Sequence, residues 1–168
     1  VFGREFGMAM LIPDVGIVVF EIKGWYESTV LRIEKGDTII IQTDDGEVPS
    51  TPQKQVRGYR FAIERRILQE LGSKPIVFCM VVYPRISKEC YKQKNLDIIT
   101  EPQFTVLKED VGSAIAIQTK LSIAVNEVQM WHRAKFDEEF MYNTRCLFEG
   151  DIAQYTQDPA IVNEIQKY

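Results

Sequence analysis

A run of core-type residues that ends in a carboxylate and an ammonium, GIVVFEIKGW from Gly16 to Trp25, constrains this chain more than any other stretch. Ile17, Val18, Val19 and Phe20 are β-branched or aromatic without interruption, the pattern of a central strand covered on both faces. Side chains alternate along a strand, so Glu21 and Lys23 share one face, Ile22 is predicted to point back into the core, and Gly24 ends the strand. A Glu and a Lys at the end of a buried strand are costly to desolvate unless they are paired or used. One use is the Glu-x-Lys site of a metal-dependent nuclease. There Glu21, the backbone carbonyl of Ile22 and a second acid would hold a hard divalent cation, and Lys23 would orient the attacking water beside a scissile phosphate. The plainer alternative is an ion pair at a strand end, and three residues alone do not separate the two.

The flanking sequence supplies a scaffold for such a strand. VFGREFGMAMLI ends in an apolar run that pairs with it as a hairpin through the turn Pro13-Asp14-Val15-Gly16. TVLRI (Thr29 to Ile33) and TIIIQ (Thr38 to Gln42) around Lys35-Gly36-Asp37 predict a second hairpin, and EVPSTP (residues 47 to 52), with two prolines, is predicted to be loop. Pro52 opens a helix capped by Ser50 or Thr51, in which Val56, Tyr59, Ile63, Ile67 and Leu71 follow helical spacing until Gly72. PIVFCMVVY (75 to 83) is a second buried strand closed by Pro84. Beyond it, Leu96 to Ile99 is a short strand candidate, and helices are predicted from Glu109 to about Arg133 and from Phe136 to Phe148, with a last short one from Ala160. The expected fold class is α/β, a mixed central sheet flanked by helices. A core over residues 1–84 carries a mainly helical extension over 85–168 that packs on it as one compact unit.

A literal Pro13-Asp14 followed by Glu21-x-Lys23 is a misleading match. Seven residues of extended strand carry Asp14 roughly 20 Å or more from Glu21 at about 3.3 Å per residue, so the two cannot share an ion. Counting back across the hairpin, the position opposite Glu21 is residue 7 or 8, occupied by Gly7 and Met8. Neither binds a cation through its side chain. Glu5 faces the same way as position 7 and could supply a displaced carboxylate beside Lys23.

Composition narrows the remaining classes. The 168 residues are 45% hydrophobic and 26% charged, a globular composition large enough for a real core. No apolar run reaches membrane-spanning length and nothing at the start resembles a signal peptide, so no membrane partner is expected. Cys79, Cys90 and Cys146 lack a Cys-x-x-Cys spacing, which favours a reduced, cytoplasmic setting over a disulfide scaffold or zinc site. The single histidine, His132, all but excludes a Ser-His-Asp triad or a His-rich metal site, and its place after Trp131 in a helical pattern suits a structural or surface role. A formal net charge of −4 argues against coating nucleic acid through bulk charge. It leaves room for a local patch: Lys54, Arg57, Arg60, Arg65 and Arg66 make one helix basic, and its amino end offers free N–H groups to a phosphate. The same charges also suit a solvated helix face, with Glu64 and Glu70 as partial offsets. Trp25 and Tyr26 suit either base stacking or burial in the core. The chain opens at Val1 in strand-like sequence, so it is expected to be a piece of something longer.

Three segments in order, IPDVGIVVFEIKGW (Ile12 to Trp25), VPSTPQKQ (Val48 to Gln55) and IVFCMVVYP (Ile76 to Pro84), resemble the NERD (nuclease-related) domain of the PD-(D/E)xK nuclease superfamily. The likeness covers residues 1 to about 84. The rest, with LDIITEPQ and KFDEEFMYNTRCLFEG, is more weakly similar to the extension found where such a domain precedes a UvrD-type helicase. The resemblance implies a restriction-endonuclease-like core and a hydrolase acting on DNA with Mg²⁺ or Mn²⁺, as in DNA repair or antiviral defence. A helicase domain in the same or a partner chain is implied as well, and a homo-oligomer is compatible with it. Glu21 and Lys23 match the family's Glu-x-Lys pair and Gln53 matches its glutamine at the helix start, while its metal-binding aspartate falls on Gly7. The implied catalytic set is therefore Glu21, Lys23, Gln53 and position 7, with Glu21, Ile22 and Glu5 toward the metal and Lys54, Arg57 and Arg60 toward DNA. With glycine in place of the aspartate, weak or absent cleavage is expected. The alternative is a DNA-binding or protein-docking module that keeps the nuclease fold without the reaction.

Overall fold

The computed structural model describes residues 8–131 and 136–155. Strand β1 (Met8–Ile12) and strand β2 (Gly16–Ile22) form the expected antiparallel hairpin, in register from Ile12 opposite Gly16 to Met8 opposite Phe20. Next come β3 (Val30–Glu34), β4 (Thr38–Thr43) and β5 (Gly46–Ser50), then helix α1 (Pro52–Leu71) and β6 (Val77–Tyr83). The second half holds α2 (Lys88–Gln93), β7 (Thr105–Leu107), α3 (Lys108–Val111), α4 (Ala114–Trp131) and α5 (Glu138–Tyr155). The fold is mixed α/β, with two sheets. One has the order β1-β2-β6-β7, antiparallel at β1-β2 and parallel elsewhere; the other is the antiparallel meander β3-β4-β5.

Helix α1 links β5 of the meander to β6 of the first sheet. It ends at Gly72, whose left-handed φ of 69° and N–H bond to the Leu68 carbonyl close the last turn. Because β6 then runs parallel to β2, α1 runs back against both and brings its amino end to their carboxyl ends. Tyr59, Ile63 and Ile67 pack on Ile17, Val19 and Val77, with Phe140, Met141 and Leu147 of α5 beside them. The opposite face of β2 and β6 (Val18, Phe20, Phe78, Met80) is covered by α4 through Leu121, Ala124, Val125 and Val128. Burial on both faces is why these strands read as unbroken apolar runs. A third cluster joins the meander (Val30, Ile39, Ile41) to Val56, Val81, Tyr83 and the α2 region.

Several expectations need correction. Residues 46–50 are strand, not loop: β5 is the outer strand of the meander, and Pro49, opposite Ile40, is tolerated where no further ladder bond is required of it. Leu96 to Ile98 is a 3₁₀ turn, and the strand of that region is β7 (Thr105–Leu107), which lies beyond the predicted segment and is three residues long, too short for a sequence pattern to reveal. The helix predicted from Glu109 is interrupted at Gly112 and Ser113; Ser113 restarts it by accepting the N–H of Ala116. The second hairpin forms its own sheet and does not extend the first. Ile22 is 49% exposed, because the α4 cover over Val18 and Phe20 does not extend to it. The predicted helix from Ala160 and His132 lie outside the described residues. No helix among the described residues is long and apolar enough to cross a membrane.

Candidate functional site at the end of strand β2

Glu21 is 7% exposed and lies beside Val81 of β6, on the face that meets α1. Lys23 continues the ladder, its N–H bonded to the Val82 carbonyl at 2.8 Å. Its Nζ reaches back to Glu21 Oε1 at 2.5 Å and stands 5.7 Å from the Trp25 ring centroid. Trp25 in turn leans on Tyr83, ring centroids 5.7 Å apart. Burial raises the Tyr83 phenol above its ordinary pKa, which keeps this aromatic wall neutral. The alternation read from the sequence thus brings Glu21 and Lys23 together as a pair enclosed by protein.

The other predicted residues fall around this pair unevenly. Asp14 sits in the turn at the far end of β2, as strand length requires. Gly7 and Glu5 lie outside the described residues. Gln53 is in the first turn of α1 but shares a helix face with Arg57, Arg60 and Glu64, and all four line a cavity of about 700 Å³ along β6 and up to Glu127 of α4. Lys23 lines a different cavity. Gln55, which the sequence did not single out, lies one turn before Tyr59 on the face turned toward β2, and its Oε1 is buried without a hydrogen-bond partner. Since α1 runs against β2, that turn lies beyond Val19, at the level of Glu21. A side-chain oxygen kept buried and unpaired is a costly feature. Gln55 is thus the glutamine whose placement suits the pair, and only its helix face could have marked it out.

The basic helix is largely self-compensated. Lys54 Nζ pairs with Asp37 Oδ2 at 2.9 Å, and that bond, with one from Thr38, lowers the Asp37 carboxyl pKa. Arg60 pairs with Glu64 at 3.5 Å and stands 5.0 Å from the Phe61 ring, and Arg66 pairs with Glu70 at 3.6 Å. Among the described residues, Arg57 is the cation of the predicted DNA-contact set with no carboxylate within ion-pair distance. Exposed ion pairs are worth about 0–1 kcal/mol, so a phosphate could still displace Asp37 from Lys54.

A divalent cation takes about six oxygen ligands. Among the described residues no group of three or more His, Cys, Asp or Glu side chains converges, and the one carboxylate at the end of β2 is already bound to an ammonium. Of the predicted ligands, Glu5 and position 7 lie outside the described residues, so the described part of the site holds one carboxylate, Glu21, beside the Ile22 backbone. Cys79, beside this layer, offers no thiolate: burial pushes its pKa up to about 12, and its thiol donates to the Val56 carbonyl. Cys90 is buried and also raised, whereas Cys146 is exposed. At about pH 8, dithionitrobenzoate is accordingly expected to titrate one thiol in the native chain and all three after unfolding. Two or more fast native thiols would show that the packing around Cys79 or Cys90 is looser than described.

Comparisons of the chain with protein-family models, with curated proteins and with solved structures gave no match.

Proposed function

We propose that the chain is a nuclease-related DNA-processing module of the NERD kind, with cleavage attenuated by Gly7, that works beside a helicase in repair or in defence against foreign DNA. The observation that carries this reading is the enclosed Glu21–Lys23 pair where β2 ends beneath the amino end of α1. In this role the Lys23 ammonium donates to a phosphoryl oxygen and stabilises the charge that develops there. Glu21 holds that ammonium in place, Gln55 presents a polar group to the same spot, and Arg57 with the exposed Lys54 contacts the strand backbone without reading sequence.

The second reading, a binding or docking module without hydrolysis, is favoured by one observation: Glu21 Oε1 is engaged by Lys23, the partner a plain strand-end ion pair would give it. Cleavage of duplex, single-stranded and supercoiled DNA with Mn²⁺ separates the two, using the unaltered chain, Gly7→Asp, and Gly7→Asp with Lys23→Ala. The nuclease reading expects cutting by Gly7→Asp, at least about 100-fold less by the double variant, and little by the unaltered chain. If all three bind DNA and none cuts it, the module is a binder.

A further inference from the structure

The segment that follows Lys23 builds a second feature, one that the nuclease reading does not use. Residues 24–29 leave the strand and fold over a pocket of about 370 Å³ between themselves and the meander, with Trp25 and Tyr26 on one side and Gln42, Val48 and Pro49 on the other. Lys23 is its one charged lining residue. Tyr26 is 56% exposed, yet its ring is not loose. The Arg85 guanidinium lies 4.3 Å from the ring centroid, and Arg85 is itself held by an Nη1 bond to the Gly24 carbonyl at 3.2 Å. The Tyr26 carbonyl accepts from both the N–H and the hydroxyl of Thr29, at 3.0 and 2.9 Å. An aromatic ring fixed at the rim, a second at the pocket wall and a single cation at its inner end are the elements that hold a base and its phosphate. The volume lies in the range of small-molecule pockets, about 300–1,000 Å³.

We infer that this pocket takes one unpaired nucleobase, stacked on Tyr26 and against Trp25 with its phosphate at Lys23, so that the ligand of the site is single-stranded nucleic acid. The inference rests on the nuclease-related reading and narrows its substrate. A base inside a duplex has both faces covered by its neighbours and its pairing edge occupied, so it can enter such a pocket only after leaving the stack. A strand that is already unpaired avoids that cost. Polar groups on the meander side, the Gln42 amide and the hydroxyls of Thr43 and Ser50, offer a base edge partners of either hydrogen-bonding sense.

The test is a fluorescence titration of the full chain carrying Trp131→Phe, which leaves Trp25 as the sole tryptophan, in metal-free buffer. The probe is an oligothymidylate of about 16 nucleotides, long enough to span a typical single-strand site, set against a blunt duplex of the same length. Quenching of Trp25 by the oligothymidylate, with the duplex binding at least tenfold more weakly, is expected. Adding Tyr26→Ala should weaken strand binding about 5- to 150-fold, the range for loss of one stacking contact, with the circular dichroism spectrum unchanged and the chain still fully folded at the assay temperature. A parallel oligouridylate titration separates DNA from RNA as the source of the base, and quenching by either strand supports the pocket. Equal binding of duplex and strand, or binding indifferent to Tyr26→Ala, overturns the base pocket and leaves the nuclease-related reading intact. Binding of neither overturns both.

Discussion

Gly16→Ala is expected to destabilise the chain by about 2–6 kcal/mol, because strain and overlap act at one position and each contributes about 1–3 kcal/mol. Gly16 has φ of 149°, a conformation that L side chains rarely adopt. A methyl group there would overlap the Ile76 carbonyl oxygen and come within 3.0 Å of the Ile76 Cβ. That carbonyl cannot retreat freely, since it accepts the Ile17 N–H at 2.8 Å and starts the parallel ladder between β2 and β6. Thermal unfolding followed by circular dichroism should show the midpoint falling by about 4–24 °C for a domain of this size. Gly36→Ala is the control, because its φ is also positive, 73°, but nothing lies within 4 Å of an added methyl. It should cost only the conformational part, about 1 kcal/mol. Equal, small losses at both positions would mean that the close approach of Gly16 to Ile76 does not organise the sheet.

That junction also explains what the sequence made legible. β2 and β6 are buried on both faces, and their apolar runs have no reading except central strand, while the 20-residue helix between them carries its period in Val56, Tyr59, Ile63 and Ile67. β7 was hidden because three residues cannot show alternation, and β5 because Pro49 signals a break until its outer position in the meander is known. The pairing of Glu21 with Lys23 followed from alternation alone. Where the helix contributes to the site did not: Gln53 and Gln55 stand in the same turn, and only the packing of Tyr59 on Ile17 and Val19 says which of them is on the face turned toward β2. Ile22 failed for a related reason, since alternation gives the direction of a side chain and says nothing of whether a helix covers it. Of the two aromatic residues after the strand, Trp25 is partly buried against the core and Tyr26 is exposed.

Lys23→Met should be among the most damaging substitutions in the chain, at about 3–5 kcal/mol, because it leaves the Glu21 carboxylate enclosed without its partner. The two side chains are 13% and 9% exposed, so little water reaches the Glu21 carboxylate in place of the lost ammonium. Glu21→Leu combined with Lys23→Met should behave quite differently. With neither charge left to desolvate, a buried pair replaced by apolar groups of similar volume is often neutral or stabilising. Urea unfolding of both singles and the double closes a thermodynamic cycle, and a coupling of several kcal/mol is expected between positions 21 and 23. If Lys23→Met costs less than about 1 kcal/mol, the pair is energetically a surface ion pair, and the plain reading of Glu-x-Lys as a strand-end bridge is sufficient. If the double variant is as stable as the unaltered chain yet no longer binds single-stranded DNA, the charges are dispensable for folding and required for the ligand. Stability and function would then separate at the same two residues, as they do where a charged site is kept at the expense of a better core.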